Sequence, residues 1–177
     1  MIEPNKETLE DLLKKYDRVP VYLKTGLCLD DPFSLLSAFS EEKNLIFLES
    51  SRFGGERSRF TFLGLRPDFL FSSQGDCITE ISNDQKRTLT SNLFDYLQKN
   101  VSSSSSPDNE NYGDFNGGLT GYLGFAAVNQ TGILRNEVRS DPNTPDSMMA
   151  RIDTWLVHDH HSGHVSIASC IYRQEGM

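Results

Sequence analysis

All four histidines of this chain, His158, His160, His161 and His164, fall within the stretch WLVHDHHSGHVSI at residues 155–167. Imidazole is the commonest protein ligand for zinc and its neighbours, so this density raises the question of a metal site. The surrounding pattern is that of a β-hairpin, with IDTWLVHDH and HVSIASCIY as two β-patterned runs around a glycine-containing turn. A three-residue loop at His161–Gly163, with Gly163 in the left-handed conformation, sets His160 opposite His164. His158 then lies two residues back on the same face. Three converging imidazoles match some catalytic zinc sites. Zinc also needs a supporting second layer of hydrogen bonds, however, and hairpin tips are normally solvated. The residues favour a polar hairpin turn, and no metal ligand is assigned.

A second chemically loaded stretch is LESSRFGGERSRFTFLG. Glu49 and Ser50 end one apolar run, Gly54–Gly55 turn the chain, and Arg57 and Arg59 open the next. A carboxylate, a hydroxyl and a guanidinium gathered at a sheet end match a zwitterionic amino acid: carboxylate to ammonium, arginine to carboxylate. On chemistry alone a solvated salt bridge at a turn is the more economical reading. GGLTGYLGF carries Gly117, Gly118, Gly121 and Gly124, but its spacing is neither GxGxxG nor GxxxxGK[ST]. No amphipathic helix is expected after it, so these glycines read as strand positions where another backbone or ring packs closely. No catalytic constellation is present: GxSxG, HExxH and a nucleophilic cysteine motif are all missing. Asp153 and Asp159 fall in the hairpin, where a pair of carboxylates is commonplace. No catalytic residue is assigned.

These residues need elements to hold them. In NKETLEDLLKKY, Leu9, Leu12, Leu13 and Tyr16 form a helical stripe, with Lys14 and Lys15 at the end favoured by the helix dipole. RVPVYLKTG reads as extended. DDPFSLLSAF opens a second helix, with Asp31 as N-cap and Pro32 in the first turn. NLIFLES, SRFTFLGLRPDFLFSS and DCITEIS read as strands, and TSNLFDYLQKNV as a short helix. SSSSSPDNENYGD, residues 102–114, has no core-forming pattern and reads as a flexible loop. RNEVRSDPNTPD is a polar connection before the hairpin. The expected class is α+β, a mostly antiparallel sheet with hairpins and a few packed helices, in a single domain over residues 1–177.

The chain has 177 residues, 37% of them hydrophobic, and a formal net charge of −8, which suits a globular domain and argues against a nucleic-acid binder. No apolar run reaches the roughly 20 residues of a membrane span, and MIEPNKETLEDLL does not read as a signal peptide. The expectation is a cytoplasmic protein with no membrane partner. Cys28, Cys77 and Cys170 are read as reduced core residues.

In order, VPVYLK, DDPFSLLSAF, FLESSRFGGERSRFTFLG, GGLTGYLGF and IDTWLVHDHHSGHVSI resemble the N-terminal region of anthranilate synthase component I and related chorismate-utilising enzymes. The match spans about residues 19–168. The resemblance implies the α+β fold of that region and a structural hairpin with a DH pair, here Asp159 and His160. It also implies that the L-E-S motif, Glu49 and Ser50, with Arg59 as the basic residue downstream, contributes to a tryptophan effector pocket. Bound tryptophan would then favour an arrangement poor at chorismate turnover. Where the family usually continues its Gly-Tyr motif with an aspartate and a basic residue, this chain has Ala126 and Asn129.

In the family, chorismate and magnesium are bound by a C-terminal catalytic domain. The expectation is therefore a chain without cofactor of its own, inactive alone, that works with that domain and a glutamine amidotransferase subunit. The full enzyme would make anthranilate and pyruvate from chorismate and glutamine-derived ammonia. The nearest alternative is the corresponding domain of aminodeoxychorismate synthase component I. Another is a stand-alone amino-acid-binding or interaction module. A severed half would expose a large apolar patch, or cover it by homodimer formation.

Overall fold

The computed structural model describes residues 1–49, 59–100, 105–108 and 115–173. Ser50, Gly54, Gly55 and Arg57 lie outside these, as does most of the segment 102–114. In chain order the elements are β1 (Ile2–Glu3), α1 (Lys6–Lys15), β2 (Arg18–Cys28), α2 (Phe33–Ala38), β3 (Ile46–Leu48), β4 (Phe60–Leu65), β5 (Phe69–Gln74), β6 (Cys77–Ser82), β7 (Gln85–Thr90), α3 (Leu93–Asn100), β8 (Gly118–Leu123), a 3-10 helix (Phe125–Thr131), β9 (Ser147–Ile152), β10 (Thr154–Asp159) and β11 (His164–Tyr172). The fold is α+β, with two sheets whose registered pairs are all antiparallel.

The chain divides into two compact units: Met1–Pro67 with Ser104–Gly117 and Ile152–Met177, and Asp68–Ser103 with Gly118–Arg151. In the first, six strands run in the order β1-β2-β11-β10-β4-β3. β10 is central and buried on both faces, which is why WLVH is almost continuously apolar. One face carries Trp155, fully buried and edge-on to Tyr22 and Phe115. The other packs Leu156 with Leu35, Leu63 and Val165 beneath α2. The Asp31 carboxylate accepts the Phe33 N–H at 3.0 Å, but α2 begins at Phe33, so the N-cap position falls on Pro32, one residue later than expected.

The second unit holds five strands, β7-β6-β5-β9-β8, with Phe71, Ile78, Leu93 and Tyr96 in its core. SRFTFLGLRPDFLFSS thus supplies strands to both sheets, divided where Arg66 turns the backbone at φ 46° before Pro67. The strands β1, β7 and β9 and the 3-10 helix are additional to those expected. β7 pairs with β6 through a two-residue turn, Asn83-Asp84, with φ of 48° and 61°, the type I′ geometry of tight hairpins.

Gly117, Gly121 and Gly124 of GGLTGYLGF serve close approach. A Cβ on Gly117, at φ +76°, would meet the Ile152 carbonyl at 2.7 Å, and one on Gly121 would run into the Met148 carbonyl. Asn129 bonds both backbone groups of Val138 at 2.7 Å and closes its loop. Of the cysteines only Cys170 is buried; Cys28 and Cys77 are exposed because they sit at strand ends, not in the core as expected.

Candidate functional site

The hairpin that carries the histidines turns one residue earlier than its sequence suggests. β10 pairs β11 with His158 opposite Val165, which leaves a four-residue turn, His160–Gly163, closed by the Gly163 N–H on the Asp159 carbonyl at 2.7 Å. Asp159, not His160, therefore stands opposite His164. The Asp159 side chain fixes this turn by accepting from the His161 N–H at 3.0 Å and the Ser162 hydroxyl at 3.0 Å. A carboxylate that satisfies local backbone donors outweighs the bare hairpin pattern.

The register separates the imidazoles. His158 is 1% exposed, and its Nε2 donates to the Leu29 carbonyl at 2.8 Å. His160 stands edge-on to it, with ring centroids 5.0 Å apart, and its Nε2 meets the Thr61 hydroxyl at 2.8 Å. His164 lies on the opposite face of the sheet, with Asp159. Among the described residues no three His, Cys, Asp or Glu side chains gather as a metal site, and no chemistry is routed through one. Burial lowers the His160 pKa, the His158 ring adds to the lowering, and Glu49 and Asp159 oppose it.

On the Asp159 face, alternation brings Val157, Asp159, His164 and Ser166 together with Lys24 of β2. They line a cavity of about 480 Å³ that also includes Arg59 and Glu3. Arg59 grips Asp159 with two parallel bonds, Nε–Oδ1 at 2.9 Å and Nη2–Oδ2 at 2.7 Å. Those bonds hold the Asp159 carboxyl far below the usual carboxylate range, helped by the His161 N–H and the Ser162 hydroxyl. The guanidinium also lies 4.8 Å from the Phe60 ring centroid. Across the cavity Lys24 pairs with Glu3 at 3.0 Å.

Of the three expected effector residues, Arg59 lines this cavity. Glu49 is exposed just beyond β3, on the side of His160, and Ser50 lies outside the described residues. Lys24 and Glu3 were not singled out in the sequence, because only the β2–β11 and β1–β2 registers bring them here. Asp159 reads in the sequence as a commonplace hairpin carboxylate, and only the β10–β4 register sets it beside Arg59.

No family model matches the sequence. Anthranilate synthase component 1 of Acetivibrio thermocellus is 25% identical over 161 residues, which cover 90% of this chain and 33% of the relative. The chain resembles anthranilate synthase component I across nearly its whole length. It spans about a third of that relative's length. A probable chloroplastic aminodeoxychorismate synthase from Oryza sativa subsp. japonica is 26% identical over 154 residues, 77% of this chain and 17% of its own. A solved anthranilate synthase component I from Streptococcus pneumoniae TIGR4 aligns with 88% of this chain and 32% of its own, at 20% identity and a TM-score of 0.49.

Proposed function

We propose that this chain is the N-terminal regulatory part of a chorismate-utilising synthase of the anthranilate synthase component I type, and that Glu49, Ser50 and Arg59 contribute to a site that holds tryptophan as a feedback effector. The observation that carries the site is the cavity edged by two ion pairs, Arg59–Asp159 and Lys24–Glu3, at 2.7 and 3.0 Å. A zwitterion can join both: its carboxylate to Arg59 or Lys24, its ammonium to Asp159 or Glu3. The apolar lining, Phe60 and Val157, suits the body of an aromatic amino acid.

In the whole enzyme the reaction would be chorismate and glutamine-derived ammonia to anthranilate and pyruvate, with magnesium and chorismate in a C-terminal domain and ammonia from a glutamine amidotransferase subunit. Effector control would follow from unequal tryptophan affinity for the active and inactive arrangements. The rice relative keeps aminodeoxychorismate synthesis as a second reading, in which the same pocket holds tryptophan structurally. Product analysis separates the two.

Ser50→Arg, introduced into the whole enzyme, adds bulk and a further cation at a residue assigned to the effector site. Tryptophan inhibition of chorismate consumption is expected to disappear, with the inhibition constant raised more than about tenfold, equivalent to about 1.4 kcal/mol. Inhibition at an unchanged constant would refute the pocket assignment.

A further inference from the structure

An apolar row crosses all six strands of the first sheet. Register sets Ile2 beside Leu23 and Leu23 beside Ile167, then continues through Leu156, Leu63 and Phe47 on β10, β4 and β3. Directly opposed residues share a face, so all six point to one side. Over β10 and β4 that side is covered, with Leu156 and Leu63 buried against Leu35 of α2. Over the outer strands it is open: Ile2 is 58% exposed, Leu23 41%, Ile167 38% and Ile171 41%.

Alternation puts Val19 and Val21 of β2, with Ser169 and Ile171 of β11, on this same side. None of them is charged, and the Ser169 hydroxyl donates to the Asp153 carbonyl at 3.2 Å. An antiparallel sheet that meets water carries polar residues on its wet side, so this side is patterned for cover. α2 does not reach it. Its six residues make a helix about 9 Å long and about 10 Å wide, which covers about two strands whichever way it lies. β1, β2 and β11 leave a strip about 10 Å across between the outer strand axes, the width of one helix. Val19 is already buried, so the opening centres on Leu23 and Ile167. It lies on the face opposite the Arg59–Asp159 cavity.

The size of the opening selects its occupant. The four exposed side chains present on the order of 300 Å², against roughly 800 Å² per partner in a stable association of separate chains. Two free copies would have to offset their lost translational and rotational freedom with that small contact. A segment of the same polypeptide does not, because the tether sets a high effective concentration. The matched region is 33% of the Acetivibrio thermocellus relative, so two thirds of that polypeptide lies outside it.

We propose that the Ile2–Leu23–Ile167 strip docks an amphipathic helix from the further part of the same, larger polypeptide, laid beside α2. The helix presents an apolar stripe at i, i+3, i+4 and i+7 to the sheet. The proposal rests on the larger-protein reading above and is independent of tryptophan as effector.

The test uses the whole protein. Leu23→Cys and Ile167→Cys, made separately, keep a small apolar group in the strip, and Ile171→Cys serves if either variant fails to fold. Each is reacted with a maleimide in the folded and the urea-unfolded state, and the labelled peptide is quantified by mass spectrometry. Labelling of the folded protein is expected to be slower by more than about a hundredfold. A folded rate within about threefold of the unfolded one would overturn the proposal. A benzophenone amino acid replacing Leu23 then identifies the cover: the expected cross-link joins it to a residue of the same polypeptide outside residues 1–177. A cross-link to a second copy, to another subunit or to α1 would overturn the proposal. The mass of the native species reports separately on the reading beneath it. A species near 20.0 kDa removes both, whereas a larger species that labels fast removes the docking strip alone.

Discussion

Asp159 is the residue on which the hairpin and the candidate site both turn. It accepts two bonds from Arg59, one from the His161 N–H and one from the Ser162 hydroxyl. Asp159→Ala removes all four and is expected to cost about 2 kcal/mol, read as a lower urea midpoint at unchanged m-value. An unchanged midpoint would mean that the turn is held by its backbone alone. The pH signs also differ between the two sides of this hairpin. Asp159 has a depressed folded pKa, so its stabilisation is present above about pH 4 and is lost only as pH falls below that. His160 is also depressed, but as a base: its contribution is complete above about pH 6.5 and declines as pH falls from there. Denaturation measured from pH 7 to pH 3 should therefore lose stability in two steps, and the upper one should vanish in His160→Gln.

At the scale of elements, close packing of backbones decides which glycines matter. Gly121 in β8 lies against the Met148 backbone of β9, whereas Gly26 in β2 has open space where a Cβ would be. Gly121→Ala is expected to destabilise by about 3 kcal/mol, while Gly26→Ala should be neutral or slightly stabilising; thermal unfolding of the pair compares them directly. Equal effects would contradict the β8–β9 packing. The same elements show how far sequence reading reaches. β4, β10 and β11 declare themselves through apolar and aromatic runs, and α1 through its leucine stripe. β7 does not, because QKRTLT is polar and mostly exposed on a sheet edge, and only its Asn83-Asp84 turn marks it. β9 was hidden behind a polar connection. At the site, Arg59 was legible as a charge at a strand start. Its partner and the Lys24–Glu3 pair were not, since strand register is a tertiary property.

At the scale of the whole molecule, the described residues hold two antiparallel sheets in two compact units, and no described helix is long and apolar enough to cross a membrane. The chain spans about a third of the length of the first relative it matches, so the proposed activity belongs to a larger protein. The most direct measurement isolates the native protein from its source cells with an antibody raised to this chain and assays it for chorismate- and glutamine-dependent anthranilate formation, with and without tryptophan. The account predicts a species much larger than 20.0 kDa that forms anthranilate and is inhibited by tryptophan. A species near 20.0 kDa that leaves chorismate untouched would contradict it.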